Sequence, residues 1–428
     1  MRILDAARDP AIVRQLSDRR AADTTSIEPR VREILQAVQH DGDAALLRLT
    51  RELDCPAIER IGLRVGAGEI DRAYSRVGKK FLKALRAART NVKRYHRRQL
   101  PRSWKLESKG MTLEQRFFPL QRVGIYVPGG KAAYPSTVLM NAIPALIAGV
   151  PEIAMVTPPD REGAIAPSVL VAAAECGITE IYRVGGAQSI AALAFGTETI
   201  RRVDKITGPG NAYVAVAKRL LFGQVGIDSV AGPTEVVIVA DQTARPDFVA
   251  ADMIAQAEHD EDASAILLTT STTLAQQVEL SISVQLERTR RERIARASLD
   301  RHGAIVLVAT LKDAANLVNE LAPEHLEVMV HQAERFAAKI TRAGAIFLGP
   351  WSTEAIGDYI AGPNHTLPTM GTARFSSALS VADFVRFSSV VDLSKKRFLK
   401  LAPHVDVLAE AEGLDGQGAS VRVWVGGG

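Results

Sequence analysis

From residue 122 onward, apolar positions come in short blocks, each followed by a stretch with helical spacing. "RVGIYVPGG" is an apolar run ending in glycines, and "STVLMNAIPALIAGV" then reads as a helix with Ser136 or Thr137 as its N-cap. The pair recurs as "EIAMVTPP" with "APSVLVAAAECG", as "EIYRVGG" with "AQSIAALAFG", and as "VDKITGPGN" with "AYVAVAKRLLFG". Short continuous apolar runs bounded by turn residues are the pattern of strands buried on both faces. Strand, glycine-containing loop and helix in series predict an open parallel sheet. A second series begins at "TEVVIVAD", where Pro246 suits the first turn of a helix over roughly 246–258. "ASAILLTT", "GAIVLVA", "LEVMV" and "GAIFLG" continue it, with helical segments between them. The pattern predicts an α/β protein with two such domains.

Residues 28–53 begin helically, with Val31, Ile34, Leu35 and Val38 on one face, and "HDGDAA" breaks the helix before "ALLRLTREL". After "GPNHTLPT" the pattern loosens. The tail from about residue 380 predicts one or two short helices, and its last segment, "ASVRVWVGGG", alternates as an edge strand does.

Composition narrows the class. The chain has 428 residues, of which 47% are hydrophobic and only 5% aromatic, as suits buried parallel strands rich in Val, Ile, Leu and Ala. No apolar stretch approaches the ~20 residues that span a bilayer. The N-terminal segment carries Asp5, Asp9 and Asp18, which suits neither a signal nor a transit peptide. Cys55 and Cys176 are the only cysteines, so a Cys-rich metal site and a disulfide framework are both excluded, and a soluble cytoplasmic protein is expected. Cys176 ends a helix, where a thiolate is disfavoured, so packing is its expected role. The net charge of +5 is concentrated in "GKKFLKALRAARTNVKRYHRRQL", with no acid between Asp71 and Glu107. Phe81, Leu82, Leu85, Ala88, Val92 and Tyr95 recur there at helical spacing, which makes it a helix with a packed face and a solvated basic face. No nucleic-acid partner is expected.

Candidate chemistry sits in the loops. Ligands of open parallel sheets bind beyond the carboxyl ends of the strands, here "YVPGG", "RVGGAQ" and "ITGPGN". Each offers glycines and a helix N-terminus, which suit an anion or nucleotide, although no G-x-G-x-x-G occurs. Gln256 and His259, in "IAQAEHDEDAS", are three apart and share a helix face. "GDYIAGPNH" offers Asp358 and His365, "EAEGLDGQGAS" offers Glu412, and "LAPEHLEVM" sets Glu324 beside His325 where an apolar strand begins. His40, His96, His302, His331 and His404 stand in helical or charged contexts and read as surface or packing residues.

Taken together, "VGIYVPGG", "VGGAQSIAALAFGTE", "GPGNAYVAVAKR", "IDSVAGPTE", "AQAEHD", "APEHLE", "GDYIAGPNHTLPT", "GTARFSS" and "AEAEGL" resemble the blocks of histidinol dehydrogenase. They follow that family's order at nearly its spacing, from about residue 25 to 423. The resemblance implies two open, mostly parallel αβα domains of incomplete nucleotide-binding type, similar to aldehyde dehydrogenases. Residues 25–122 with 238–378 would form one and 123–237 the other, with an N-terminal arm over 1–24 and a dimerisation tail over 379–428. It implies NAD-dependent four-electron oxidation of L-histidinol to L-histidine through histidinaldehyde, the last step of histidine biosynthesis. It also implies a homodimer with shared active sites and one zinc per subunit, with manganese as the substitute. By motif, Glu324 and His325 match the acid/base pair, Tyr126, Gln188 and Asn211 the NAD contacts, and Gln256, His259 and Asp358 zinc ligands that also touch substrate. Thr234 stands where the family usually has a substrate-touching serine, and Glu412 matches a substrate contact lent by the partner subunit. Gln417 stands where the family has a histidine, a metal ligand and substrate contact. Two other readings stay open. One is a dehydrogenase of the same superfamily for another small alcohol, such as a sulfonated diol, toward which Thr234 points. The other is a catalytically silent paralogue that binds a metabolite, against which the Glu324–His325 pair argues.

Overall fold

The computed structural model describes residues 1–17, 25–130 and 132–426. Residues 18–24 of the expected N-terminal arm and the last two glycines of "ASVRVWVGGG" therefore lie outside the described residues. The chain divides into two compact units, Met1–Gln99 with Leu120–Phe384, and Leu100–Pro119 with Val385–Gly428.

The first unit is built on two parallel sheets. One is six-stranded, in the order β1 (Arg2–Asp5), β11 (Ala304–Leu307), β10 (Ser264–Thr269), β9 (Glu235–Ala240), β12 (His325–Met329), β13 (Ala345–Leu348). The other is five-stranded, in the order β6 (Glu180–Arg183), β5 (Glu152–Thr157), β4 (Arg122–Tyr126), β7 (Lys205–Thr207), β8 (Gly226–Ile227). Every residue of β4, β10 and β12 is buried, including Arg122, His325 and Glu327 among their apolar neighbours. Alternate residues feed opposite faces. Ile125, Met155 and Ile181 pack on one side of the five-stranded sheet, and Tyr126, Val156 and Tyr182 on the other. Helices cover both faces of each sheet, so the expected α/β architecture is present.

The N-terminal helices cover a different sheet from the one expected. The helix Glu28–Leu53 sends Val31, Ile34, Leu35, Val38, Leu46 and Leu49 into one face of the five-stranded sheet. The helices Ala67–Arg76 and Lys79–His96 send Ile70, Ala73, Leu85, Ala88 and Val92 into the other face. The expectation grouped residues 25–122 with 238–378, yet the helices of residues 28–96 share their core with strands of residues 122–227, while β1 from the arm joins the six-stranded sheet. Periodicity shows that a helix has an apolar face, but not which sheet will cover it. The expected break in the first helix is real, because Gly42 sits at φ 54, ψ −130 inside it. On the basic helix Tyr95 is exposed, whereas His96 is fully buried and bonds through Nδ1 to Gln99 at 2.6 Å. Both cysteines are free and buried, and burial pushes the Cys176 thiol up to about 12. Among the described residues no helix is long and apolar enough to cross a membrane.

The second unit has a three-stranded antiparallel sheet, β14 (Val385–Leu393), β3 (Met111–Pro119) and β2 (Trp104–Ser108), with helices Lys395–Ala411 and Asp415–Gly426. The segment expected as an edge strand is thus helical. Its alternating valines are outweighed by packing on the preceding helix. Gly418 allows that approach, since a Cβ there would lie 2.6 Å from Asp406 Oδ1, and Arg422 pairs with Asp406. Among the described residues of this unit only Ala402 and Ala409 are buried apolar side chains, while Trp424 is 75% exposed.

Leu46 is wholly buried where the first helix meets the five-stranded sheet, whereas Leu280 is 68% exposed. Leu46→Ala is expected to cost about 2–5 kcal/mol in denaturant unfolding with an unchanged slope, and Leu280→Ala under about 0.5 kcal/mol. Equal effects would show that the helix does not share that core.

Candidate active site

Glu324 and His325 stand at the amino end of β12. The helix Leu311–Leu321 stops at Ala322, which is left-handed at φ 49, and the chain turns through Pro323 into the strand. Gly344 lies against this turn, where a Cβ would come within 2.6 Å of the Glu324 carbonyl oxygen. Thr234 immediately precedes the neighbouring strand β9. Gln256 and His259 close the helix Pro246–Ala257, which follows β9 and runs back to the amino edge of the sheet. Asp358 opens a π-helical turn, Gly357–Ala361, after the short helix Glu354–Ile356. Gly357 makes room there for the Phe347 ring, which stacks on the His325 imidazole at 6.1 Å. The loop that follows is tied to helices on the five-stranded sheet. Asn91 Nδ2 donates to the Ile360 carbonyl (2.8 Å) and Asn364 Nδ2 to that of Met140 (2.7 Å).

These elements enclose one imidazole among carboxylates. His325 Nδ1 donates to the Glu235 carbonyl at 3.1 Å, and Nε2, which has no hydrogen-bond partner, faces Asp358 Oδ1 at 3.5 Å. Glu324 Oε2 and Glu354 Oε2 lie 3.7 and 3.9 Å from Nδ1. Burial opposes charge on His325, but Glu354, Glu324 and Asp358 outweigh it and hold the imidazole well above its usual range. Burial raises Glu324 to about 7 and Glu354 to about 8, with the His325 charge limiting both. For Asp358 the order reverses: burial raises it, but His325 prevails and keeps it lowered. His365, whose Nδ1 bonds the Asp358 carbonyl at 3.2 Å, is lowered by burial and so stays neutral.

Thr234 and Gln256 join this network. Thr234 Oγ1 donates to Glu324 Oε2 at 2.7 Å, and the Glu235 N–H donates to the same oxygen at 2.9 Å. With its amide oriented to satisfy both ends, Gln256 donates to Glu354 Oε1 (2.7 Å) and its oxygen faces Thr234 Oγ1 (2.8 Å) and the Glu235 N–H (2.7 Å). Glu324 and Gln256 thus share the same two donors. Beneath them Asp252 and Glu327 meet carboxyl to carboxyl. Burial raises both, and Glu327 accepts the Glu354 N–H at 2.7 Å.

As metal donors, His259 and Asp358 fit. His259 Nδ1 bonds the Ala255 carbonyl at 3.0 Å, which fixes the tautomer and leaves Nε2 free. Imidazole and carboxylate suit zinc. Gln256 lies in the cluster, but its oxygen is committed to protein donors and would have to give them up. Among the described residues, the tightest grouping of ligand atoms is instead His325, Glu354 and Asp358, all within 4.8 Å of one another. Glu412 and Gln417 belong to the second unit, at the end of Lys395–Ala411 and within Asp415–Gly426, and both are exposed.

The expected NAD contacts lie at the carboxyl ends of the five-stranded sheet, next to the point between β4 and β7 where the strand order reverses. Tyr126 ends β4, and its buried hydroxyl accepts the Gly186 N–H at 3.4 Å. Gln188 is buried one turn into the helix Gly186–Phe195. Asn211 caps the helix Ala212–Leu221, accepting the Val214 N–H at 3.1 Å. Gly208, at φ 113, lies so close to the Tyr126 carbonyl that a Cβ would not fit.

Glu354, Glu327 and Asp252 were not anticipated, and His365 only as a loop candidate. Signals for them exist. Glu354 precedes Asp358 by four, Asp252 precedes Gln256 by four and His259 by seven, and Glu327 follows His325 by two, so each shares a face with a candidate.

Residues 17–425 match the sequence model of the family described as histidinol dehydrogenase. The histidinol dehydrogenase of a Synechococcus species is 49% identical over 423 residues, spanning 99% of this chain and 95% of its own length. That of Bacillus licheniformis is 50% identical over 410 residues, covering 95% and 96%. The crystal structure of histidinol dehydrogenase from Elizabethkingia anophelis superposes with a TM-score of 0.91 at 37% identity, over 97% of this chain and 96% of that one. With buried Glu324 beside His325, the acidic surround and the two-sheet fold all in place along a match over nearly the whole chain, this chain belongs to the histidinol dehydrogenase family of oxidoreductases.

Proposed function

We propose that the chain oxidises L-histidinol to L-histidine in two NAD-dependent steps through histidinaldehyde, the last step of histidine biosynthesis, as a cytoplasmic homodimer with one zinc per subunit. The observation that carries the reading is Glu324 beside His325, two buried groups of different chemistry facing one space. NAD would supply the hydride acceptor, and His259 and Asp358, with Gln256 and Gln417 of the partner subunit, would hold a metal able to anchor the substrate imidazole and amine. Removing hydride from an alcohol requires a base for the hydroxyl proton, and His325 Nε2 takes that part once the imidazole has lost the proton that Glu354, Glu324 and Asp358 favour on it. Oxidising the aldehyde requires its hydrate. Glu324, poised near 7, takes the proton from water, and His325 serves again in the second oxidation. Asp358, Glu354 and Glu324 make the pocket strongly acidic, which suits a substrate carrying an ammonium group. Thr234, whose extra methyl pointed toward another alcohol, spends its hydroxyl on Glu324 and Gln256, so a sulfonated diol is not favoured. A silent paralogue is disfavoured by the complete acid/base pair.

The homodimer reading rests on the second unit. Trp104, Leu106, Phe387, Val391, Val407, Leu408 and Trp424 are all exposed on it. So small a unit with so much apolar surface needs a cover. A second copy would supply that cover and would lend Glu412 and Gln417.

Each histidinol is expected to yield two NADH without free aldehyde. His325→Asn should slow both half-reactions by about 10²–10⁴-fold, while Glu324→Gln chiefly slows aldehyde oxidation. Because Glu324 is raised to about 7, its basic form is lost as pH falls through that value. Aldehyde oxidation should drop about tenfold per pH unit below it, a limb absent from Glu324→Gln. One NADH per histidinol, or equal loss in both steps for Glu324→Gln, would refute the two-base assignment.

Inactive Glu412→Ala chains mixed with inactive His325→Asn chains should recover activity in heterodimers. Heterodimers that form and stay inactive would rule out shared sites. Finally, Gln417 offers an amide oxygen where an imidazole is expected, so zinc should be held weakly and harder ions such as manganese tolerated. Gln417→His should tighten zinc binding, measured by chelator competition, and raise turnover. If both stay unchanged, residue 417 is not at the metal.

A further inference from the structure

The acid that dinucleotide-binding sheets place against the adenosine ribose has no counterpart at the usual position here. In such sheets it follows the second strand of the βαβ unit and bonds the 2′-hydroxyl. After β5 this chain reads Thr157, Pro158, Pro159, Asp160, and the Asp160 carboxylate is taken by its own turn, accepting the Ala164 N–H at 2.7 Å and the Glu162 N–H at 3.0 Å. Another carboxylate reaches the same place from far away in sequence. Asp54 caps the end of the helix Glu28–Leu53, with its N–H on the Thr50 carbonyl. Its side chain accepts from Gln188 Nε2 at 3.2 Å and from the backbone of Gly185. Gly185 in turn touches Pro158, since a Cβ on it would lie 2.6 Å from the Pro158 Cβ, and Gly129, beyond β4, meets Pro158 in the same way. The ends of β4, β5 and β6 therefore converge, and Asp54 stands over them.

The polar groups around Asp54 are incompletely used. Gln188 is 1% exposed, and its Oε1 has no partner. The Tyr126 hydroxyl accepts from Gly186 and finds no acceptor for its own proton among the described residues. No lysine or arginine pairs with Asp54 among them either. Burial raises the acid to about 6, so at neutral pH an uncompensated carboxylate remains at the N-terminus of the helix Gly186–Phe195. A cap alone would not need a charge delivered from 134 residues away, nor an orphaned amide oxygen beside it. Two acceptors and a hydroxyl donor match the vicinal hydroxyls of a ribose. The carboxylate also fills the helix end where a phosphate would otherwise be welcome.

We propose that Asp54 is the specificity-determining residue of the cofactor site, binding the adenosine ribose hydroxyls and excluding a dinucleotide that carries a 2′-phosphate. The inference rests on the reading of Tyr126 and Gln188 as cofactor contacts. Exclusion follows from like charge, since no lysine or arginine among the described residues pairs with Asp54 to offset it.

The test is steady-state kinetics with saturating histidinol and either NAD or NADP, on the full-length enzyme with its metal content determined. Asp54→Asn and Asp54→Ser should raise the KM for NAD and lower the NAD-over-NADP ratio of kcat/KM by about tenfold or more, with kcat at saturating NAD little changed. A wild-type ratio in folded Asp54 variants would reduce Asp54 to a helix cap and overturn the proposal. On the unmodified enzyme, AMP should compete with NAD at least about tenfold better than adenosine 2′,5′-bisphosphate, which differs only by the 2′-phosphate. Equal competition would also overturn it, whether or not the variants fold. Tyr126→Phe and Gln188→Ala separate the two ideas. If they raise the KM for NAD while the Asp54 ratio stays put, only the proposal fails, and if they leave that KM alone, the cofactor site itself has been misplaced.

Discussion

The site depends on keeping one imidazole out of water among more acids than it can neutralise. Glu324, Glu354 and Asp358 approach His325 directly, and Asp252 and Glu327 lie behind them. Five carboxyls cannot all ionise around one cation in a dry pocket. The structure resolves the excess in graded fashion. Asp358 is held low by His325, Glu324 and Glu354 are raised toward neutral pH, and burial raises both Asp252 and Glu327. What remains is a pocket with a standing demand for positive charge, and with two groups able to change protonation near neutrality. Both properties come from burial, and without it the same residues would be a solvated acidic patch.

The fold supplies that burial from unrelated directions. The amino edge of the six-stranded sheet contributes Thr234, Glu324 and His325, the end of a returning helix contributes Gln256 and His259, and the loop after β13 contributes Glu354 and Asp358. Ligands of open parallel sheets usually gather beyond the carboxyl ends. Tyr126, Gln188 and Asn211 stand at such carboxyl ends, whereas Glu324 and His325 stand at the amino edge of the other sheet. The loop carrying Asp358 and His365 is bonded to the helices of the five-stranded sheet through Asn91 and Asn364, so the acidic cluster is joined to the five-stranded half by hydrogen bonds rather than by a shared sheet.

Thr234 and Gln256 show why a residue's type does not give its role. Both were expected at the substrate or metal. In the structure the Thr234 hydroxyl and the Glu235 N–H are two donors that Glu324 and Gln256 divide, so the position and basicity of that carboxylate are coupled to whatever Gln256 does. The second unit makes the complementary point. Its segments fold into a sheet and a helix pair while leaving most of their apolar side chains uncovered, and local structure is complete there before any core exists.

The sequence by itself determined the elements and their class. Apolar runs marked the parallel strands of both sheets, the break at Gly42 was visible, and the nine motif blocks named the family and included Glu324, His325 and Asp358, which the fold brings together. It misassigned the segment Asp415–Gly426, because alternating valines imitate a strand when the neighbouring helix is not in view. It also attached the helices of residues 28–96 to the wrong sheet, because an apolar face carries no address. Tertiary structure alone decided which acids surround His325, what Thr234 holds, and that Asp54 reaches the end of β5. The reason is one of range. Periodicity acts within a turn of helix or two residues of strand, whereas these contacts join positions 90 and 134 residues apart, and only folding brings them together and removes the water that would otherwise screen their charges.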